Sequence, residues 1–179
     1  GAAADTPLVV ADADDPASLE AMAKRTKVVL TTVGPYQLYG EPLVKACVEA
    51  GTDYTDLCGE PVWMRQMIDA HDKTAQENGA RIVFSSGFDS IPFDLGVLML
   101  QKEAVKRRGS AAPRVKGRMR GMAGGASGGT VASLTETLKA LAKDPSLVPY
   151  MTSAFGLTPG FERPPQPAGR RHGYRGRDH

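Results

Sequence analysis

The sequence predicts an α/β fold with a Rossmann-type parallel sheet, and three observations carry that reading. The β-branched, apolar runs KVVLTTV, DYTDL and RIVFSS are separated by stretches whose apolar residues recur at helical spacing. Such alternation implies βαβ units, hence parallel strands with right-handed crossovers. Runs like KVVLTTV are apolar without alternation, as in strands covered on both faces. Each run also ends in polar or glycine-rich residues, as at the carboxyl ends of parallel strands where ligands sit.

The elements follow in order. PLVVADADD predicts a short strand over Leu8 to Ala11, after which Asp15 caps a helix whose first residue, Pro16, has no N–H to leave unpaired. Leu19, Met22 and Ala23 give that helix its apolar face, and KVVLTTV is the next strand. Leu43, Val44, Cys47 and Val48 then have helical period as far as Gly51, which suits a left-handed terminus. DYTDL is a strand, Val62 to Asn78 a longer helix closed by Gly79, and RIVFSS another strand. A helix starts near Pro92, and the alternation in RVKGRMRGM predicts a solvated strand opening a second α/β subdomain. After AGGASGG comes a helix with Val131, Leu134, Leu138 and Leu141 on one stripe. Beyond Pro159 the Pro, Gly and Arg content predicts a disordered tail. The expected units are an incomplete Rossmann domain over 1–110, the start of a second domain over 111–158 and the tail over 159–179.

Composition narrows the function classes. The 179 residues are 41% hydrophobic and 23% charged, enough for one ordinary core. The net charge is +2 and five arginines lie between Arg163 and Arg177, so the body carries no basic face for nucleic acid. Cys47 and Cys58 follow neither a CxxC nor a secreted-framework spacing and read as reduced, buried thiols. No apolar run approaches the ~20 residues of a membrane span, so a cytoplasmic chain is expected, with peripheral membrane contact compatible with the sequence. Gly1 in place of Met and the abrupt opening predict a piece of a longer chain.

The strand ends carry the candidate chemistry. In TTVGPY, Gly34 lets backbone approach a ligand and Pro35 stiffens the turn, as a flat cofactor crossing a strand end requires; a plain strand-to-helix turn is the alternative. DLCGEP places Asp56 and Glu60 at one strand end, where a carboxylate can grip a ribose hydroxyl, orient a substrate or move a proton. Capping of the helix at Pro61 is the alternative for Glu60, as capping by Asp89 or Ser90 is for GFDSIP. GGASGGT ahead of a helix suggests an anion site, although no Lys precedes Thr130. Neither GxGxxG nor GxxGxxG occurs in the sequence. His71 has no companion at metal-ligand spacing, so no metal site is expected, and no Ser-His-Asp arrangement can be drawn.

In combination, VGPY…YGEPLVKAC, GFDSIPFDLG and GGASGGT resemble the saccharopine dehydrogenase-like oxidoreductases, over about Pro7 to Asp144. The branch most similar is that of the actinobacterial trans-acting enoyl reductases and their animal saccharopine dehydrogenase-like relatives. The resemblance implies a Rossmann domain binding NADP or NAD, with a second α/β domain closing on the substrate side. It places Asp12 near the adenine, and Thr32, Val33, Gly34, Pro35 and Tyr36 beside the ribose and nicotinamide. Gly59 and Glu60, with Gly87, Phe88, Asp89 and Ser90, then border the pocket where substrate meets the ring. Tyr36, Tyr39 and Glu60 are the candidates for the proton-donating acid of an enoyl reduction. The implied substrate is a small molecule of lipid-linked type.

This sequence departs from the family pattern in lacking the opening strand, GxxGxxG-type turn, helix and second strand. In the order 3-2-1-4-5-6, Leu8 to Ala11 would be the third strand and Val28 to Thr32 the fourth. The fourth is then an apolar edge able to pair with another chain, which leaves homo-oligomers open. Without the diphosphate-binding turn, cofactor affinity is expected to be weak or absent. A noncatalytic interaction module built on the same fold is the competing reading. A short-chain dehydrogenase relative ranks below both, because no Tyr has a Lys four positions on.

Overall fold

The computed structural model describes residues 5–160, apart from 122 and 154. The expected tail, 159–179, therefore falls almost wholly outside the described residues.

Helix α1 spans Pro16–Ala23, and the Asp15 carboxylate accepts the Ala17 N–H as its N-cap. Strand β1, Val28–Thr31, leads through a short turn to α2, Tyr36–Tyr39, and on to α3, Glu41–Ala50. Strand β2 is Asp53–Asp56, α4 is Pro61–Asn78 and β3 is Ile82–Val83. Gly51 and Gly79 end α3 and α4 at φ of 67° and 75°, the left-handed geometry that glycine adopts without strain. Helix α5, Ile91–Arg108, and α6, Gly128–Lys143, follow; a 3₁₀ turn at Pro145–Leu147 then leads into α7, Val148–Thr152.

The three strands form one parallel sheet in the order β1-β2-β3, with Val28 opposite Asp53, Thr31 opposite Asp56 and Tyr54 opposite Ile82. This is the Rossmann-type arrangement expected for the fourth to sixth strands. Its core is built by α3 and α4: Val44, Cys47, Val48, Trp63, Met64 and Met67 pack with Tyr54 of β2. Trp63 lies at its centre, with ring centroids 5.4 Å from both Tyr36 and Phe84.

Three expectations are corrected. Leu8 to Ala11 joins no ladder among the described residues, and Val10 is 97% exposed. A short apolar run becomes a strand only when a neighbour takes its N–H and C=O groups, and none of the described strands pairs with it. The stretch 114–121 is irregular, so the described part of 111–158 holds helices and no strand. The described residues, finally, cover the sheet on one face only: Val29 packs against the core, whereas Val28 and Leu30 are exposed, Leu30 by 71%. Helix α5 buries none of its residues and does not cover that face.

Candidate functional site

The tips of β1 and β2 are joined by a carboxylate. After Thr31, whose hydroxyl accepts the Val33 N–H at 3.2 Å, the chain turns through Thr32, Val33, Gly34 and Pro35 into α2. The Tyr36 ring packs on Trp63, and its hydroxyl donates to the Thr31 carbonyl at 3.3 Å. Glu60, at the head of α4, accepts the Tyr36 N–H on Oε1 and the Gln37 N–H on Oε2, each at 2.9 Å. These amides open α2 and have no partner within it.

A second carboxylate joins β2 to β3. Asp56 Oδ1 accepts the Cys58 N–H at 3.0 Å and the Ser85 N–H at 2.8 Å, and Oδ2 accepts the Tyr54 hydroxyl at 2.9 Å. Ser85 holds φ of 56°, uncommon for a residue with a Cβ, and its hydroxyl donates to the Cys58 carbonyl at 2.7 Å. Beyond it, a Cβ at Gly87 would stand 3.0 Å from Leu57 Cβ, so a side chain there would crowd the β2 tip against which the β3 tip lies. The Gly87 carbonyl accepts the Ser90 and Ile91 amides that open α5.

Burial sets the electrostatics. It pushes the Tyr36 hydroxyl up to about 12, so that group keeps its proton throughout the neutral range. It raises Asp56 too, outweighing the hydrogen bonds from Cys58, Ser85 and Tyr54 that favour its ionised form. The thiols of Cys47 and Cys58 are free, buried and shifted upward by desolvation.

The expected site residues separate by exposure. Thr32, Val33, Gly34, Gly59, Phe88 and Asp89 are exposed at the tips, with Leu57 among them. Pro35 is buried beneath, while Gly87 and Ser90 are half-buried. The Gly34–Pro35 peptide is cis. A Cβ on Gly59 would meet nothing within 4 Å, and one on Gly34 only ordinary contacts at 3.5 Å and beyond, so both stretches of backbone can be approached from outside. Of the three candidate acids, Tyr36 is 3% exposed and Glu60 1%, whereas Tyr39 is 55% exposed. Asp12 is engaged locally, its carboxylate accepting the Asp14 N–H and its own N–H donating to Ser18; none of its hydrogen bonds reaches the three tips. At GGASGGT, the Ser127 hydroxyl accepts the Thr130 N–H as the N-cap of α6.

Two features at the tips carry no signal in the sequence. One is the left-handed Ser85. The other is α6, which reaches back over the β1 tip: Gln37 Nε2 donates to Thr137 Oγ1 at 2.9 Å, and Ser133 Oγ lies 3.7 Å from where a Gly34 Cβ would stand. The helical period of α6 was legible, but not which helix it would meet. The arrangement as a whole is a rim of bare backbone and exposed apolar side chains on a buried, fully hydrogen-bonded carboxylate lattice. A planar ring can lie on such a rim.

Residues 6–83 match the saccharopine dehydrogenase NADP binding domain. The chain is 46% identical over 157 residues to the trans-acting enoyl reductase of Mycobacterium ulcerans, and 45% and 46% identical to those of Mycobacterium leprae and Mycobacterium tuberculosis. In each case the match takes in 87% of this chain and 38% of the relative, so the chain spans little more than a third of their length. No solved structure matches it significantly. The match to the saccharopine dehydrogenase NADP binding domain thus runs through β1, β2 and β3, the three strands whose tips form this rim.

Proposed function

We propose that this chain is the nicotinamide-side part of an NADP(H)-dependent reductase acting on the conjugated double bond of a lipid-linked acyl substrate. The observation that carries the reading is the convergence of the three strand tips, tied by Glu60 and Asp56, within and just beyond the segment that matches an NADP-binding domain. The names of the relatives support enoyl reduction as the reaction class.

The residues present fit one part of the cofactor. Gly34 and Gly59 offer side-chain-free backbone for the ribose and ring, and Val33, Leu57 and Phe88 offer apolar surface. The diphosphate needs amides from a glycine-rich turn, and neither GxGxxG nor GxxGxxG occurs in these 179 residues. The chain's own affinity for NADPH is therefore weaker than micromolar. When bound, the nicotinamide supplies a hydride to the β-carbon of the enoyl group while a proton adds at the α-carbon, giving the saturated acyl product and NADP⁺. Tyr39, exposed at the end of α2, is the proton donor best placed for solvent access and substrate contact. Tyr36 instead spends its proton on the Thr31 carbonyl.

The same reading retains an NADP-binding unit over 1–110, a substrate-side unit over 111–158 and a cytoplasmic location with peripheral membrane contact. No helix among the described residues is long and apolar enough to cross a membrane. A noncatalytic interaction module has one observation in its favour, the uncovered apolar face at Val28 and Leu30 on β1, the outer strand of the described sheet.

The test is to incubate the chain with millimolar NADPH and an α,β-unsaturated acyl thioester, following NADPH oxidation and the saturated product by mass spectrometry. Tyr39→Phe is expected to slow turnover by roughly 10²-fold or more with NADPH affinity unchanged. Undiminished turnover in that variant removes Tyr39 from the reaction, and no NADPH contact at all favours the interaction module.

A further inference from the structure

Glu60 occupies the N-cap position of α4, yet its side chain makes no cap hydrogen bond to that helix. Both oxygens point instead to the first two amides of α2, at 2.9 Å each. Bonds from backbone N–H groups to a carboxylate are charge-assisted and stronger than neutral ones. With 1% of Glu60 exposed and both oxygens occupied, the carboxylate has no face left for a substrate.

The two amides lie directly after the Gly34–Pro35 turn. On the strand side that turn is held by Thr31, through its hydroxyl to the Val33 N–H and its carbonyl to the Tyr36 hydroxyl. On the helix side it is held by Glu60. We propose that Glu60 is a positioning residue, which fixes the Gly34–Pro35 turn in the geometry that receives the nicotinamide cofactor and takes no part in proton transfer. The inference rests on the cofactor reading above and deepens it. A carboxylate suits this place because it offers two acceptors side by side; an amide of the same shape offers one acceptor and sets its NH₂ against an N–H.

The test uses the ¹⁵N-labelled chain and two readouts, amide hydrogen exchange and NADPH-induced amide shifts. In Glu60→Gln, exchange at Tyr36 and Gln37 is expected to speed up roughly tenfold or more, as for loss of a bond to a charged group. The Cys58 and Ser85 amides, held by Asp56, keep their protection and report that the fold is intact. NADPH-induced shifts at Gly34 then require roughly tenfold more cofactor in the variant than in the parent chain. Equal protection of Tyr36 and Gln37 in parent and variant overturns the clamp. Lost protection with unchanged NADPH affinity overturns the positioning role. A parent chain that shows no NADPH shifts refutes the cofactor reading, and the positioning role with it, while the exchange result still decides the clamp. If Glu60→Gln does not fold, Glu60→Asp, which keeps the charge and withdraws it by one methylene, is read in the same two ways with the same expected losses.

Discussion

Replacing Gly40 by alanine tests how tightly the turn into the site is packed from behind. Gly40 joins α2 to α3 and is buried against the edge of the Trp63 ring. An added Cβ would overlap Trp63 Cζ2, stand 3.0 Å from Trp63 Cη2 and come within 2.8 Å of the Tyr36 carbonyl oxygen. Neither neighbour gives way cheaply. The carbonyl is backbone and accepts the Gly40 N–H, and Trp63 is locked between Tyr36 and Phe84. Overpacking of this kind costs about 1–3 kcal/mol. The opposing gain is small, because Gly40 has φ of −81° and alanine there stiffens the unfolded chain by about 0.4–1 kcal/mol. The overlap with Trp63 puts the cost in the upper half of that range, so the expected net loss is about 1–2.5 kcal/mol. Urea unfolding followed by the fluorescence of Trp63, the chain's single tryptophan, measures it directly. Gly59→Ala, where a Cβ meets nothing within 4 Å, is the control and should show no loss, with a gain of about 0.4–1 kcal/mol from the stiffer unfolded chain. A Gly40→Ala chain as stable as the parent would refute the packing argument.

Two further predictions concern buried titratable groups. Burial raises the pKa of Asp56 in the folded chain above its unfolded value of 3.8, so the native state holds that proton over a pH range in which the unfolded chain has released it. Stability from this group therefore falls as pH rises from about 4 through the raised folded pKa, and is level above it. In Asp56→Asn the amide oxygen can keep the Cys58 and Ser85 N–H groups while its NH₂ meets the Tyr54 hydroxyl. Urea midpoints across that range should then lose this contribution, and an identical pH slope in parent and variant would contradict it. The thiols of Cys47, pushed up to about 11, and Cys58 should react with a disulfide reagent at pH 8 only after denaturant is added. Rapid modification of the native chain would show that the core around α3 opens readily.

Much of the fold was legible because its signals are local. Asp15 with Pro16 marked the start of α1, Gly51 and Gly79 marked two helix ends, and the runs at Val28 and Ile82 marked strands. What could not be read depends on neighbours distant in sequence. Among the described residues, PLVVA, with the composition of a strand, finds no ladder partner, and VVL, with that of a doubly covered strand, is covered once. Glu60 is the clearest case at the site. Glu ahead of Pro61 suggests a cap for the helix that follows, and the residue does sit at that helix's head. Its carboxylate nonetheless serves α2, 24 positions earlier in the chain, a pairing fixed only when β1 and β2 come into register. Ser85 in left-handed geometry and α6 over the β1 tip arise in the same way, from tertiary packing that overrides any local preference.

The central claim is that the tips of β1, β2 and β3 form one receiving edge for a nicotinamide nucleotide. Mapping backbone amide shifts as NADPH is added to the labelled chain tests it most directly. The account predicts that Gly34, Gly59 and Gly87 respond together along one weak binding curve, with the amides of α5 unaffected. Responses confined to one tip, or centred on α5 with the three glycines silent, would contradict it.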